Sequence, residues 1–205
     1  MAGDDAVDRA VEAIRRGAPV LLPTDTVYGL CGSAADEEAA AAVYGLKRRE
    51  GAQPTALLAA DVERLLEALP ELHGPSAGIV RALLPGPYTL VLANPARRFP
   101  WLTGTNPGAI GVRVAVLPEP AQRVLDQVGC VLATSANAPG GSSPATLDDV
   151  PDWIRAGCEA ELDVGRLPGV ASTVLDLTGP EPVVLREGAA PSADAIERIG
   201  STQWL

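Results

Sequence analysis

Four short polar segments of the 205-residue chain carry side chains suited to binding anions, and each adjoins an apolar run. Loops at the ends of strands are the usual ligand-binding positions in α/β sheets. Hydroxyl, amide and cationic groups are donors that recognise phosphate and carboxylate. The segments therefore predict a binding site for an anionic ligand. They are residues 23–26 (Pro-Thr-Asp-Thr), 47–49 (Lys-Arg-Arg), 134–137 (Thr-Ser-Ala-Asn), and 172–173 (Ser-Thr) with 186–188 (Arg-Glu-Gly).

Each segment also has an interpretation that involves no ligand. Turn hydroxyls and amides often bond to their own backbone, and cations complement the C-terminus of a helix. An arginine at a strand end can pair with any nearby carboxylate. These interpretations apply to Thr24 and Thr26, to Lys47 and Arg49, to Ser135 and Asn137, and to Arg186.

Two cations are harder to explain without a ligand. Arg113 lies between Val112 and Val114, and a charge in an apolar strand needs a partner, for which an anionic ligand is one option. Of the 16 basic residues only Lys47 is a lysine. The composition of this chain therefore favours arginine at positions where only the positive charge matters. Its retention predicts a position where an ammonium group is not equivalent to a guanidinium, and we expect it to face the site.

The scarcity of histidine and cysteine restricts the chemistry. His73 is the only histidine and lies in a turn remote from the polar segments, so serine–histidine and cysteine–histidine schemes are excluded. Three scattered cysteines form neither a zinc pattern nor a disulfide framework, and Cys31 is expected to be buried and inert. Asp25 is either a carboxylate of the site or a turn residue. The expected chemistry is charge stabilisation and positioning, without a side-chain nucleophile.

Composition and charge narrow the class of protein. Hydrophobic residues make up 47% and charged residues 20%, as in globular proteins. The net charge of −10 argues against direct binding of duplex DNA, and 3% aromatic residues leave little for base stacking. Residues 127–147 carry no charge but are too polar for a membrane span, and the acidic start is no signal peptide, so a cytoplasmic location with no membrane contact is expected.

Hydrophobic periodicity predicts interleaved helices and strands without a linker or repeat. The fold class is therefore α/β (α+β), a single domain over residues 1–205 with a mixed parallel and antiparallel sheet and flanking helices. Predicted helices are 7–14 (capped by Asp4 or Asp5 and stopped at Gly17), 36–48, 62–69, 77–84, 120–128, 147–155 and 192–199. Predicted strands are 19–22, 27–30, 55–59, 88–93, 111–114, 130–134, 159–164, 172–177 and 182–186.

Seven motifs in order resemble the YrdC/TsaC-like threonylcarbamoyl-adenylate synthase family, as a single-domain member. They are Pro-Thr-Asp-Thr-Val-Tyr-Gly-Leu (23–30), Leu-Lys-Arg-Arg (46–49), Leu-Pro-Gly-Pro-Tyr-Thr-Leu-Val-Leu (84–92), Gly-Val-Arg-Val (111–114), Thr-Ser-Ala-Asn (134–137), Ser-Thr-Val-Leu-Asp (172–176) and Leu-Arg-Glu-Gly-Ala (185–189). Each motif alone is weak, but seven at similar spacing are specific. The similarity covers about residues 5–190, which it marks as the core.

The resemblance implies a twisted mixed sheet around a positively lined cavity. It implies a nucleotidyltransferase that converts L-threonine, bicarbonate and ATP into threonylcarbamoyl-adenylate and pyrophosphate. Mg²⁺ is expected to accompany the ATP. The reaction is the first step of threonylcarbamoyl-adenosine modification of tRNA. The resemblance also implies a transient contact with the tRNA threonylcarbamoyl-transferase complex. It implies no metal site formed by protein side chains. The implied catalytic residues are Lys47 and Arg49; the ATP-binding residues are Lys47, Arg49, Ser135, Asn137 and Arg186; the threonine-binding residues are Thr26, Arg113 and Ser172.

Three positions depart from the family pattern, namely Gln53, Ala115 and Ala145. Two alternatives accompany the enzyme hypothesis. One is a non-catalytic RNA- or nucleotide-binding paralogue with the same fold. The other is a carbamoyl-adenylate module that acts on a different acceptor.

Overall fold

A mixed sheet forms the centre of the molecule in the computed structural model, which describes residues 3–48 and 53–201. Within these residues its order is β7-β1-β2-β6-β3-β5-β4-β8-β9. The pairs β1/β7, β3/β5 and β4/β8 are parallel and the other neighbours are antiparallel, which confirms the predicted mixed sheet. The strands are β1 (Val20–Pro23), β2 (Tyr28–Ser33), β3 (Ala56–Ala59), β4 (Tyr88–Ala93), β5 (Ala109–Val114), β6 (Cys130–Ser135), β7 (Ala160–Glu161), β8 (Thr173–Asp176) and β9 (Val183–Arg186).

Helices flank the sheet close to where periodicity predicts them. The first helix has its apolar stripe at i, i+3, i+4 and i+7, and this stripe is buried. The helices in the described parts of the chain are α1 (Asp4–Arg15), α2 (Glu37–Leu46), α3 (Val62–Ala68), α4 (Pro75–Leu83), α5 (Glu119–Val128), α6 (Asp152–Ala156) and α7 (Ser192–Ser201), with short 3-10 turns at Pro100–Leu102 and Leu147–Asp149.

The predicted aspartate cap of the first helix is wrong. Gly3 precedes the first turn, and no side chain caps it. Asp4 and Asp5 lie one step further along, inside the first turn, where their carboxylates complement the helix dipole.

Two predicted elements are shorter than expected. The helix predicted over 147–155 is split, because a proline lacks the backbone N–H and forces the preceding residue out of helical geometry. Val150 is accordingly extended (ψ 129°), and α6 begins only after Pro151. The strand predicted over 159–164 ends at Glu161, because the Asp163 carboxylate accepts a hydrogen bond from the Gly165 N–H and turns the chain.

The two faces of the sheet are covered differently. Side chains alternate between faces along a strand, so Ile110, Val112 and Val114 of β5 enter the main core. On the opposite face α1 and α5 cover residues such as Val20 and Val131. The same face continues over the central strands without a helix, and there it forms the floor of a cavity.

Candidate active site

A cavity of about 380 Å³ opens on this face, and strands β2 to β6, β8 and β9 contribute to it. Its polar side chains come from segments far apart in the sequence, as the polar segments predict. Four predicted site residues line it directly, namely Arg113, Ser135, Ser172 and Arg186. Thr24 and Thr134, from the predicted polar segments, also line it. Polar lining residues outside those segments, which the sequence-based prediction did not assign to the site, are Thr55, Thr89, Thr103 and Asn106.

Arg113 reaches the cavity from β5, and its side chain is only 11% exposed. Its Nη2 donates to Asp25 Oδ1 and, at 2.8 Å, to Thr26 Oγ1. Burial lowers the pKa of Arg113 and raises that of Asp25, and the attraction between them opposes both shifts. The Nε–H is buried and makes no hydrogen bond within the described residues. Asp25 thus fixes one edge of the guanidinium and leaves donors for a ligand.

The turn at residues 23–26 supports Arg113 through its hydroxyls. Thr24 Oγ1 donates to the Val27 carbonyl at 2.7 Å, so the Thr26 hydroxyl donates to Thr24 Oγ1 at 3.0 Å. Thr26 Oγ1 then accepts from Arg113. Because Thr26 is completely buried and absent from the lining, it contacts the arginine while Thr24 faces the cavity.

A second guanidinium lies close to the first. Arg186 Nε donates to the Ser172 carbonyl at 2.9 Å and its Nη2 to Ser172 Oγ at 3.1 Å, and the Ser172 and Thr89 hydroxyls are 2.8 Å apart. Partial burial lowers the pKa of Arg186, and repulsion from Arg113 lowers it further. An anion bound between the two cations would offset both the lost hydration of Arg186 and its repulsion from Arg113. The structure places Arg186 among the residues predicted to bind threonine, and its predicted role towards ATP stays a prediction.

Lys47 follows α2 and is completely buried. Its ammonium donates to the Ser135 carbonyl at 2.7 Å, to Asn137 Oδ1 at 2.9 Å and to the Asn137 carbonyl. Ser135 Oγ also donates to Asn137 Oδ1, at 2.6 Å. The predicted proximity of these three residues is confirmed. Lys47 is not a lining residue, however, and its ammonium lies behind the turn at residues 135–137 instead of facing the cavity as expected.

Arg48, the next residue of the basic segment, contacts α6. The guanidinium of Arg48 lies 4.5 Å from the ring centre of Trp153, and Trp153 Nε1 donates to the Leu46 carbonyl at 3.2 Å. Trp153 had no motif signal, because its partner is more than 100 residues away. Arg49, which the resemblance assigns to catalysis and ATP binding, lies outside the described residues.

Neither His73 nor Cys31 belongs to the site. His73 is exposed in the turn before α4 and is absent from the cavity lining. Cys31 is fully buried, and loss of hydration raises the pKa of its thiol to about 12, so it stays protonated. The expected burial of Cys31 is confirmed, and its inertness stays a prediction.

Substitution of Thr26 by valine tests whether this buried hydroxyl acts through Arg113. Valine keeps the shape but removes the acceptor for Nη2, so an anionic ligand that depends on the orientation of Arg113 should bind about tenfold more weakly. Titration calorimetry with L-threonine measures this. Thr105→Val, on the exposed surface, is the control, and equal affinities of both variants would refute the arrangement.

The fold and the sequence have counterparts among known proteins. A Sua5/YciO/YrdC family model, described as telomere recombination, matches residues 12–188. The chain therefore belongs to the Sua5/YciO/YrdC family, as its motifs predict.

Individual relatives extend over most of the chain. A Mycobacterium tuberculosis protein, provisionally named threonylcarbamoyl-AMP synthase, is 32% identical over 195 residues, 93% of this chain and 88% of its own. A Bos taurus threonylcarbamoyl-AMP synthase is 34% identical over 91% of this chain and 69% of its own. The solved Pyrococcus abyssi Sua5 complexed with L-threonine superimposes with a TM-score of 0.83 at 32% identity, over 96% of this chain.

This chain spans 57% of the length of that solved Sua5 chain. The predictions of fold and family are confirmed, and the predicted synthase activity, of nucleotidyltransferase type, agrees with the names of these relatives. No helix in residues 3–48 and 53–201 has the length and apolar character needed to cross a membrane.

Proposed function

We propose that this protein is an L-threonylcarbamoyl-adenylate synthase, which converts L-threonine, bicarbonate and ATP into threonylcarbamoyl-AMP and pyrophosphate. The observation that carries the proposal is the convergence of two guanidiniums, Arg113 and Arg186, with the hydroxyls of Thr89 and Ser172 in one cavity. The cavity volume lies within the range of about 300–1,000 Å³ typical of small-molecule sites.

The amino acid is held at the arginine end. The free donors of Arg113 suit a carboxylate, and the fixed guanidinium plane orients it. Ser172 contributes a hydroxyl that is already oriented by Arg186. L-threonine, which is the ligand in the solved Pyrococcus abyssi relative, fits this set of donors.

The nucleotide is held at the other end, where β6 leads into the turn at residues 135–137. The Ser135 side chain lines the cavity there, and Lys47 fixes the turn from behind. The positive charge of Lys47 also favours phosphate nearby, even from behind the backbone. The other members of the predicted ATP-binding group are Asn137, on the same turn, Arg49 and Arg186.

The reaction then needs positioning and charge stabilisation. The threonine amine attacks the carbon of bicarbonate, and water is lost as the carbamate forms. A carbamate oxygen attacks the α-phosphorus of ATP, and the bond to the bridging oxygen breaks, so pyrophosphate leaves with the electron pair. The cations stabilise the charge that develops on the phosphates. No described residue of the cavity is a primed nucleophile.

Mg²⁺ enters this scheme as part of the ATP complex. Among the described residues no group of three or more His, Cys, Asp or Glu side chains is placed to hold a metal. Magnesium in such sites is commonly bound through substrate phosphates and water, with few protein ligands. The residues present fit a metal that arrives with ATP, and they do not form a cage of their own.

Pyrophosphate release from ATP tests the proposal. We expect release only when ATP, Mg²⁺, bicarbonate and L-threonine are all present, because the carbamate is the attacking group. Release that needs bicarbonate but not threonine would point to a different acceptor. Absence of release together with absence of ATP binding would support a non-catalytic paralogue.

The product is a mixed anhydride that water hydrolyses, so direct transfer to the tRNA threonylcarbamoyl-transferase complex is advantageous. That transient contact remains part of the proposal, as does a cytoplasmic location.

A further inference from the structure

We infer that Gly111 is a specificity-determining residue, whose missing side chain provides the space in which the amino acid is joined to the nucleotide. The inference rests on the proposed function. It adds a residue that contacts neither the threonine carboxylate nor the phosphates of ATP. It follows from the composition of the cavity floor and from the surroundings of this glycine.

The floor between the two polar ends is made of very small residues on adjacent strands. Gly111 of β5 lies opposite Ala56 of β3, and Ala56 lies opposite Ala133 of β6. All three line the cavity. The central strands therefore form a smooth, shallow row with no side chain larger than a methyl group.

The fold itself does not require glycine at position 111. Its φ lies outside the left-handed region in which glycine is favoured. A Cβ built on Gly111 would lie 3.5 Å from the Thr55 carbonyl oxygen and 3.7 Å from the Ala56 Cα, which are ordinary van der Waals contacts. Glycine inside a strand is also less stable than alanine, so its retention needs another reason.

The position of the row provides that reason. Gly111 is two residues before Arg113 on the same face of β5, which places it one step from the carboxylate donors. Ser135 is two residues after Ala133 on the same face of β6, at the opposite end of the row. A substrate that contacts both Arg113 and Ser135 crosses this row of small residues. Gly111 is the member of the row on the strand that carries Arg113, so its missing side chain leaves space beside the bound amino acid.

The substitution Gly111→Ala should separate stability from activity. We expect an unchanged or higher melting temperature, because the methyl group fits and the unfolded chain loses freedom. We expect kcat/KM for L-threonine to fall about tenfold to a hundredfold, because the methyl group occupies substrate space. Thermal melting and pyrophosphate release measure the two effects. Gly200→Ala in α7, where a Cβ would meet nothing within 4 Å, is the control and should keep wild-type kinetics.

The possible results are distinguishable. Wild-type kinetics in Gly111→Ala would overturn the inference, and so would a lower melting temperature that accounts for the lost activity. If the unsubstituted protein itself releases no pyrophosphate, the proposed function fails and the inference fails with it. Turnover in the unsubstituted protein together with equal turnover in Gly111→Ala overturns the inference alone.

Discussion

Replacing Arg113 with alanine should raise the KM for L-threonine about tenfold to a hundredfold and leave the KM for ATP nearly unchanged. A hydrogen bond to a charged group is worth about 1.5–3 kcal/mol, which corresponds to that range. The selectivity follows from the contacts of Arg113, whose guanidinium bonds to Asp25 and Thr26 and lies near Arg186, while Lys47 holds the turn at residues 135–137. Steady-state kinetics with each substrate varied in turn measure both constants.

Two further variants make this prediction specific. Arg113→Lys keeps a positive charge beside Asp25 but loses the planar fork, so its KM for threonine should also rise. Arg64→Ala removes a surface arginine whose partner Glu67 is also exposed, and it should behave as wild type. Equal increases in both KM values for Arg113→Ala would contradict the assignment of Arg113 to the amino acid.

Replacing Lys47 with alanine should abolish most activity and also lower stability by about 2 kcal/mol. The loss removes the ammonium donor from the Ser135 and Asn137 carbonyls and leaves Asn137 Oδ1 with only the Ser135 hydroxyl, and buried acceptors that lose a donor are costly. The turn at residues 135–137 then loses its fixed conformation, so ATP binding should weaken. Calorimetric titration with ATP and Mg²⁺ and chemical denaturation check the two effects.

The role of the ammonium itself is tested by Lys47→Arg. A guanidinium is larger and planar, and the site is completely enclosed, so this variant should also be impaired. Lys47→Ala and Asn137→Ala should be non-additive in ATP affinity, because both act through the same turn. Additive losses, or normal turnover in Lys47→Arg, would show that Lys47 does not act by holding the turn.

The sequence predicts which residues belong to the site better than how each one acts there. Chemical type and position within or beside apolar segments identify Arg113, Ser172 and Ser135, all of which line the cavity. The burial of Thr26 behind Arg113 has no sequence signal, since the motif does not specify which threonine faces inward. The direction of the Lys47 ammonium depends on a contact across about 90 residues, which local patterns do not encode.

The fold, like the site, is predictable where local sequence determines an element and not where contacts between distant segments do. Amphipathic spacing locates α1 and α5, whose apolar faces must be buried. Apolar spacing alone predicts one helix over 147–155, but Pro151 splits it. Strand order depends on contacts between distant segments, so the position of β6 between β2 and β3 could not be read from the sequence.

A crystal structure with L-threonine and a non-hydrolysable ATP analogue tests the central claim most directly. The account predicts both ligands in the one cavity, with the threonine carboxylate within hydrogen-bond distance of the Arg113 guanidinium and the α-phosphate beside the turn at residues 135–137. The threonine amine should lie over Gly111 and point towards the α-phosphate. Threonine bound away from Arg113, or the two ligands bound in separate sites, would contradict the account.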